Sequence, residues 1–89
     1  MLKIRPGFLL RKLGDEYLVV AVGPASREFC GMIRMNATGA FLWNALAAGT
    51  TKEAIVQKML EHYAGLDEQT AHHDLQRFLE TVAPAIEET

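Results

Sequence analysis

The run Met32-Ile33-Arg34-Met35-Asn36-Ala37-Thr38-Gly39-Ala40-Phe41-Leu42-Trp43 sets a strand against a helix with no linker between them. Met32 to Met35 is long enough for a short strand. Asn36 is a strong helix N-cap, because its side-chain oxygen can accept one of the orphan N–H groups of a first helical turn. A junction this abrupt leaves the strand and helix little freedom, and the rest of the chain must fold around both.

Upstream, Gly7 to Leu13 and Glu16 to Val22 are β-biased runs separated by Gly14-Asp15, a two-residue loop whose leading glycine suits a type II′ hairpin turn. In the second run Tyr17, Val19 and Ala21 alternate with Leu18, Val20 and Val22, so neither face is plainly polar. One face is expected to cover helices and the other to touch something else. Gly23 to Glu28 reads as a loop from its adjoining glycine and proline, with Phe29 dipping back towards the core.

Downstream, the first helix is expected over Ala37 to Ala47, with Phe41, Leu42, Ala45 and Leu46 on one stripe and Gly49 ending it in a left-handed conformation. Thr50 and Glu53 form a capping box for a second helix that reaches Tyr63, with Ile55, Val56, Met59, Leu60 and Tyr63 inward. Asp67 caps a third helix whose inward stripe is Ala71, Leu75, Phe78, Leu79 and Val82, and Pro84 ends or bends it. Strands followed by helices imply an α+β fold, here a three-stranded antiparallel sheet followed by three helices in a winged helix-turn-helix-like arrangement. Eighty-nine residues, 49% hydrophobic and 22% charged, support one domain spanning residues 1–89.

A formal net charge of −2 removes most of the electrostatic drive for binding nucleic acid. Met1 leads into Leu2-Lys3-Ile4-Arg5-Pro6 with no apolar targeting stretch and no membrane span, so a cytoplasmic location is expected. The lone cysteine, Cys30, has uncharged neighbours that do not activate a thiol, and it reads as structural. His62, His72 and His73 lack the spacing of a metal site, since adjacent helical residues point about 100° apart. The acids Glu53, Glu61, Asp67, Glu68, Asp74 and Glu80 are spread over helix faces as caps and solvent groups. Phe41 and Leu42 are expected in the core, with Trp43 divided between the core edge and an interface. No catalytic residue, metal ligand or cofactor is expected.

The junction Met35-Asn36-Ala37-Thr38-Gly39, together with the hairpin, Leu42-Trp43, Gly49-Thr50-Thr51, Ile55-Val56, Leu60, Tyr63, Asp74-Leu75 and Phe78-Leu79, resembles the PqqD family over nearly the whole chain. The resemblance implies a winged helix-turn-helix that recognises the leader of a ribosomally made precursor peptide. It also implies presentation of that peptide to a modifying enzyme, typically a radical S-adenosylmethionine protein, in PQQ formation or a related pathway. The leader would add a strand to the edge of the third strand, in the cleft beside the third helix. Carried onto this chain, the peptide-binding positions are Met32, Ile33, Arg34 and Met35 on the strand, extending towards Cys30 and Gly31, and Asp74, Leu75, Arg77 and Phe78 on the helix. Arg34 and Arg77 are the candidates for pairing with acidic leader residues. Asp74, Arg77 and Thr81 flank the inward stripe on one side and His72 and Gln76 on the other, and either flank could line the groove. The chain departs from the family in having Met35 where a leucine is usual before the asparagine, and in ending Val82-Ala83-Pro84-Ala85-Ile86.

Two other functions compete with peptide recognition. A small winged-helix DNA-binding regulator suits the topology, but Arg77 is the only lysine or arginine after Asp67, and acids outnumber it there. A structural dimerisation subunit suits the two-sided apolar character of Glu16 to Val22, and the modest size of the chain leaves room for a homodimer.

Overall fold

A computed structural model of the chain describes residues 1–28 and 32–88. Along the chain run β1 (Leu2–Ile4), β2 (Phe8–Leu13), β3 (Glu16–Ala21), α1 (Ala25–Glu28), β4 (Met32–Met35), α2 (Ala37–Ala47), α3 (Lys52–His62) and α4 (Glu68–Thr81). A 3-10 turn (Ala83–Ala85) and β5 (Ile86–Glu88) follow. The expected third strand and third helix are β4 and α4. The fold is α+β, with β2, β3 and β4 in one antiparallel sheet in that order and β1 paired with β5 in a second.

The hairpin forms as its turn chemistry dictates. Leu13 pairs with Glu16 across Gly14-Asp15, and Gly14 takes a φ of 62° while among the described residues only glycines have a positive φ. A positive φ at the first central residue alone is the II′ pattern. β4 continues the sheet, with Val19 opposite Ile33 and Tyr17 opposite Met35. The expected loop at Gly23 to Glu28 is in part a helix. Pro24, whose fixed φ suits a helix start, leads into α1, and Ser26 Oγ donates to the Gly23 carbonyl at 2.7 Å. Phe29, expected to reach the core, lies outside the described residues, as do Cys30 and Gly31.

At the junction, Asn36 caps α2 by accepting the Gly39 N–H on its side-chain oxygen at 2.8 Å. Gly49, with a φ of 79°, follows the end of this helix. The cap of α3 differs from expectation. Thr51, not Thr50, accepts the N–H at the helix start, that of Ala54, at 3.2 Å. Thr50 is buried and its backbone is taken up by Leu2, with bonds of 2.6 and 2.9 Å in the two directions.

The β1–β5 pair was not expected from the sequence. It ties Leu2 to Glu88 and Ile4 to Ile86, with a Lys3–Glu87 ion pair at 3.2 Å on its surface. The Arg5 guanidinium donates to the Pro84 carbonyl at 3.0 Å. Pro84 thus does end α4, within a 3-10 turn that returns the chain to its own beginning.

Among the described residues two clusters make the core. Leu42, Ala45 and Leu46 of α2 pack with Ile55, Val56 and Met59 of α3 and with Ala71 and Leu75 of α4. Trp43 turns the other way, into a cluster with Phe8, Val19, Ala25, Val82 and Ala85. Of the expected aromatic positions, Phe41 packs at the margin of the helical cluster and Trp43 lies deeper than a core edge. Trp43 is a core residue, 3% exposed, whereas Phe41 is half-buried and stacks on exposed His62 at 4.4 Å. Truncating a buried aromatic typically costs about 3–5 kcal/mol, so Trp43 is a principal tie between helices and sheet.

Asp67 caps α4 as expected, accepting the Thr70 N–H at 2.7 Å. The backbone hydrogen bond, helped by the Thr70 side chain, holds its carboxyl below the usual aspartate range. A depressed folded-state pKa gives stability that is present above the unfolded pKa and lost as the pH falls through the folded one. Asp67→Asn keeps a cap acceptor but cannot ionise. Thermal melts at descending pH should therefore show a shallower acid loss in this variant than in the parent. Parallel acid limbs would refute the assignment.

Candidate functional site

β4 is the last strand of its sheet. Alternate backbone N–H and C=O groups of an edge strand point away from its one neighbour. No backbone hydrogen bond outside the sheet engages residues 32–35 among the described residues. Beside this edge lies an open groove of about 460 Å³. Arg34 and Met35 form its strand wall, while Asn36, Thr38, Gly39 and Leu42 from the start of α2 form its floor. Asp74, Arg77, Phe78 and Thr81 of α4 form its far wall.

The far wall follows helical spacing, since residues separated by three, four and seven positions share a face. This settles which flank of α4 meets the groove. The Asp74, Arg77 and Thr81 flank does. His72 and Gln76 are exposed elsewhere on α4, where His72 meets Glu68 at 3.6 Å and Gln76 donates to Glu80 at 3.2 Å. Gly39 has no side chain, which lets the start of α2 pass close to the strand wall. A Cβ built there would come within 2.8 Å of the Met35 Cβ.

The eight expected site residues divide into three groups. Arg34, Met35, Asp74, Arg77 and Phe78 come together around the groove. Met32, 56% exposed, lies on the same strand but outside the groove lining, and half-buried Ile33 packs into the sheet-side core. Leu75 is 2% exposed and belongs to the helical core, so it supports the wall without reaching the surface. Asn36, Thr38, Gly39, Leu42 and Thr81 are lining residues not included among the expected eight. The position of Thr81, seven after Asp74 on one helix, is the pattern that marks it.

The groove carries both charges. Arg34 is loosely paired with Glu16 at 3.9 Å, both side chains mostly exposed, an arrangement worth little in water. The Arg77 guanidinium meets no carboxylate at ion-pair distance among the described residues. The start of α2 also opens here, and first-turn N–H groups give a helix N-terminus a partial positive charge. Met35 and Phe78 add apolar surface. The arrangement can accept an extended chain along β4 and hold both apolar and acidic side chains against α4. Among the described residues no group of three histidines, cysteines or acids could hold a metal ion, and no helix is long and apolar enough to cross a membrane.

The family model described as coenzyme PQQ synthesis protein D, PqqD, matches residues 11–83. A solved structure described as TbiB1 in complex with the TbiA(beta) leader peptide is similar in fold, with a TM-score of 0.77 and 24% identity. The match covers 98% of this chain and 96% of that one. No curated protein gives a significant match.

The close approach at the groove floor yields a test. Alanine is favoured over glycine inside a helix by about 0.5–1 kcal/mol. At residue 39, however, the new methyl would press on the Met35 Cβ, near the backbone, where little can give. Overpacking of this kind costs about 1–3 kcal/mol. Gly39→Ala should therefore lower the urea midpoint at unchanged slope, and a raised midpoint would show that the contact relaxes freely.

Proposed function

The chain belongs to the PqqD family, and we propose on that premise that it binds the leader segment of a ribosomally made precursor peptide by taking it as an added strand on β4. The single observation that carries this reading is the open edge of β4 facing the Asp74, Arg77, Phe78 and Thr81 stripe across one groove. Backbone pairing along β4 supplies affinity that is largely indifferent to sequence, and the wall of α4 supplies selection. Arg77 and Arg34 engage acidic leader residues, while Met35 and Phe78 receive an apolar one. The solved complex of the similarly folded TbiB1 with a leader peptide supports the reading.

In this reading the protein works by holding its peptide and carries out no reaction on it. The bound leader is handed to a separate modifying enzyme, for which the family makes a radical S-adenosylmethionine protein the first candidate. DNA binding is disfavoured, because α4 presents Asp74 beside Arg77 in the groove and Glu68 and Glu80 elsewhere, and phosphates require a basic surface.

Titration of the isotope-labelled full chain with synthetic peptides tiled across the short reading frames flanking its gene tests the proposal. Amide shifts should concentrate at residues 32–36 and along the groove stripe of α4. Arg77→Glu should weaken the best peptide roughly tenfold, as expected for loss of a charge-assisted anchor. Absence of binding to every such peptide, with salt-sensitive binding to DNA instead, would sink it.

A second reading, self-association, is favoured by the outer face of the sheet. There Leu9, Val20 and Met32 form a cross-strand row, and Leu9 and Met32 are exposed. Under it, sedimentation shows a concentration-dependent dimer that Leu9→Glu abolishes. A monomer at every concentration removes it.

A further inference from the structure

The groove beside β4 does not stop at α4. Thr38 and Asp74 line both that groove and a neighbouring hollow of about 300 Å³, bounded by Met59, Tyr63, Gly65 and Leu66. We propose that this hollow is a second compartment of the same site, and that it takes a bulky apolar side chain from the leader segment next to the one that pairs with β4. The proposal rests on the leader-binding reading above.

The hollow is built and held from both sides. At its floor Met59 is buried, and a thioether adapts to apolar partners of several shapes. Tyr63 closes α3, donating its N–H to the Met59 carbonyl at 2.9 Å. Its ring is fixed edge-on against Phe41 at 5.6 Å and His62 at 4.7 Å. The chain then turns at Gly65, with a φ of 79°, and half-buried Leu66 packs on the helical core before Asp67 starts α4. The connection between α3 and α4 is thereby pinned at each end, and its walls stand ready without a ligand. Gly65 leaves the space beside it open, since a Cβ there would meet nothing within 4 Å.

The lining dictates the occupant. Met59, Tyr63 and Leu66 offer no cation to an acidic side chain, and Asp74 at the entrance repels one. An acidic residue is thus directed to the compartment holding Arg34 and Arg77, and an apolar one to the compartment holding Tyr63 and Leu66. A peptide crossing between them passes Thr38 and Asp74, whose side-chain oxygens can accept its backbone N–H groups. The continuity of the two hollows through these residues is what assigns both to a single chain.

The tightest of the tiled synthetic peptides serves as the probe, together with versions in which each bulky apolar residue outside the pairing segment is replaced in turn by alanine. Amides 63–66 should shift along with 32–36 on binding. Leu66→Ser should weaken the parent peptide about fivefold to tenfold, the loss expected from part of one apolar side chain's burial. One alanine peptide should bind the wild type and Leu66→Ser equally, the coupling expected of two groups in contact. Shifts at 32–36 with none at 63–66 would overturn the compartment while leaving the leader reading standing. The compartment is overturned in the same way if Leu66→Ser, shown folded by its thermal melt, binds the parent peptide as the wild type does. If no tiled peptide moves either region, both readings fall together.

Discussion

The structure depends on a single-residue joint. Asn36 ends β4 and caps α2 at once, so the helix cannot move relative to the sheet without breaking either the cap or the strand. With the helix start fixed against the strand end, residue 39 lies over Met35, and the approach is close enough that a methyl group there would collide. One turn further, at the helical spacing of four, Trp43 reaches the sheet-side core. The glycine and the tryptophan are two consequences of one constraint. Close approach requires the first to be small, and the space that opens beyond it requires the second to be large. The same joint sets Gly39 and Met35 together in the lining of the groove between β4 and α4.

Features whose chemistry closes within four residues were legible in the sequence. The Gly14-Asp15 turn, the Asn36 and Asp67 caps and the glycine at 49 each involve groups already adjacent in the chain. What escaped was decided at a distance. Leu2 meets Glu88 across nearly the whole chain, and strands of three residues carry too little pattern to declare themselves. The same long contact decided between two neighbouring threonines. Both Thr50 and Thr51 have the side chain to cap α3, but Leu2 takes the backbone of Thr50 into a bridge and leaves the cap to Thr51. Periodicity placed Leu42, Ala45 and Leu46 of α2 inward as found but left Trp43 undecided, for a related reason. A stripe argument assumes one buried face, whereas α2 lies between two cores and buries Leu42 and Leu46 on one side and Trp43 on another.

The site was legible to a similar depth. Local pattern located a short strand without proline and a helix with a clear inward stripe, and the family resemblance named their residues. Which flank of that helix faces the strand depends on how α4 is turned about its own axis, and the packing of Ala71 and Leu75 into the helical core sets this. Hence Asp74, Arg77 and Thr81 could be separated from His72 and Gln76 only once the core had formed. Leu75 shows the other side of the point, because a stripe that is inward enough to pack the core is too deep to touch a ligand. Of the groove-lining positions on α4, Asp74 and Phe78 lie half-buried at the margin of the stripe, where a side chain is both held and reachable.

An unpaired strand edge invites any other strand, and proteins commonly blunt such edges. Among the described residues the sheet ends at β2 and at β4, and the two ends differ. β2 sets Arg11 and Lys12 side by side on its edge, a charged pair that discourages pairing with a flat apolar strand. β4 is less defended in composition, with Arg34 alone among apolar neighbours, yet it is guarded by shape. It is only four residues long and α4 stands across the groove from it. A second sheet approaching edge to edge would need the space that α4 occupies, whereas the single strand of the proposed function needs only the groove between them. The wall that selects leader side chains in the proposed function thus also excludes broader partners. In that proposed function, an edge that would be an aggregation hazard in the open serves as a binding surface because a helix limits it to a single strand.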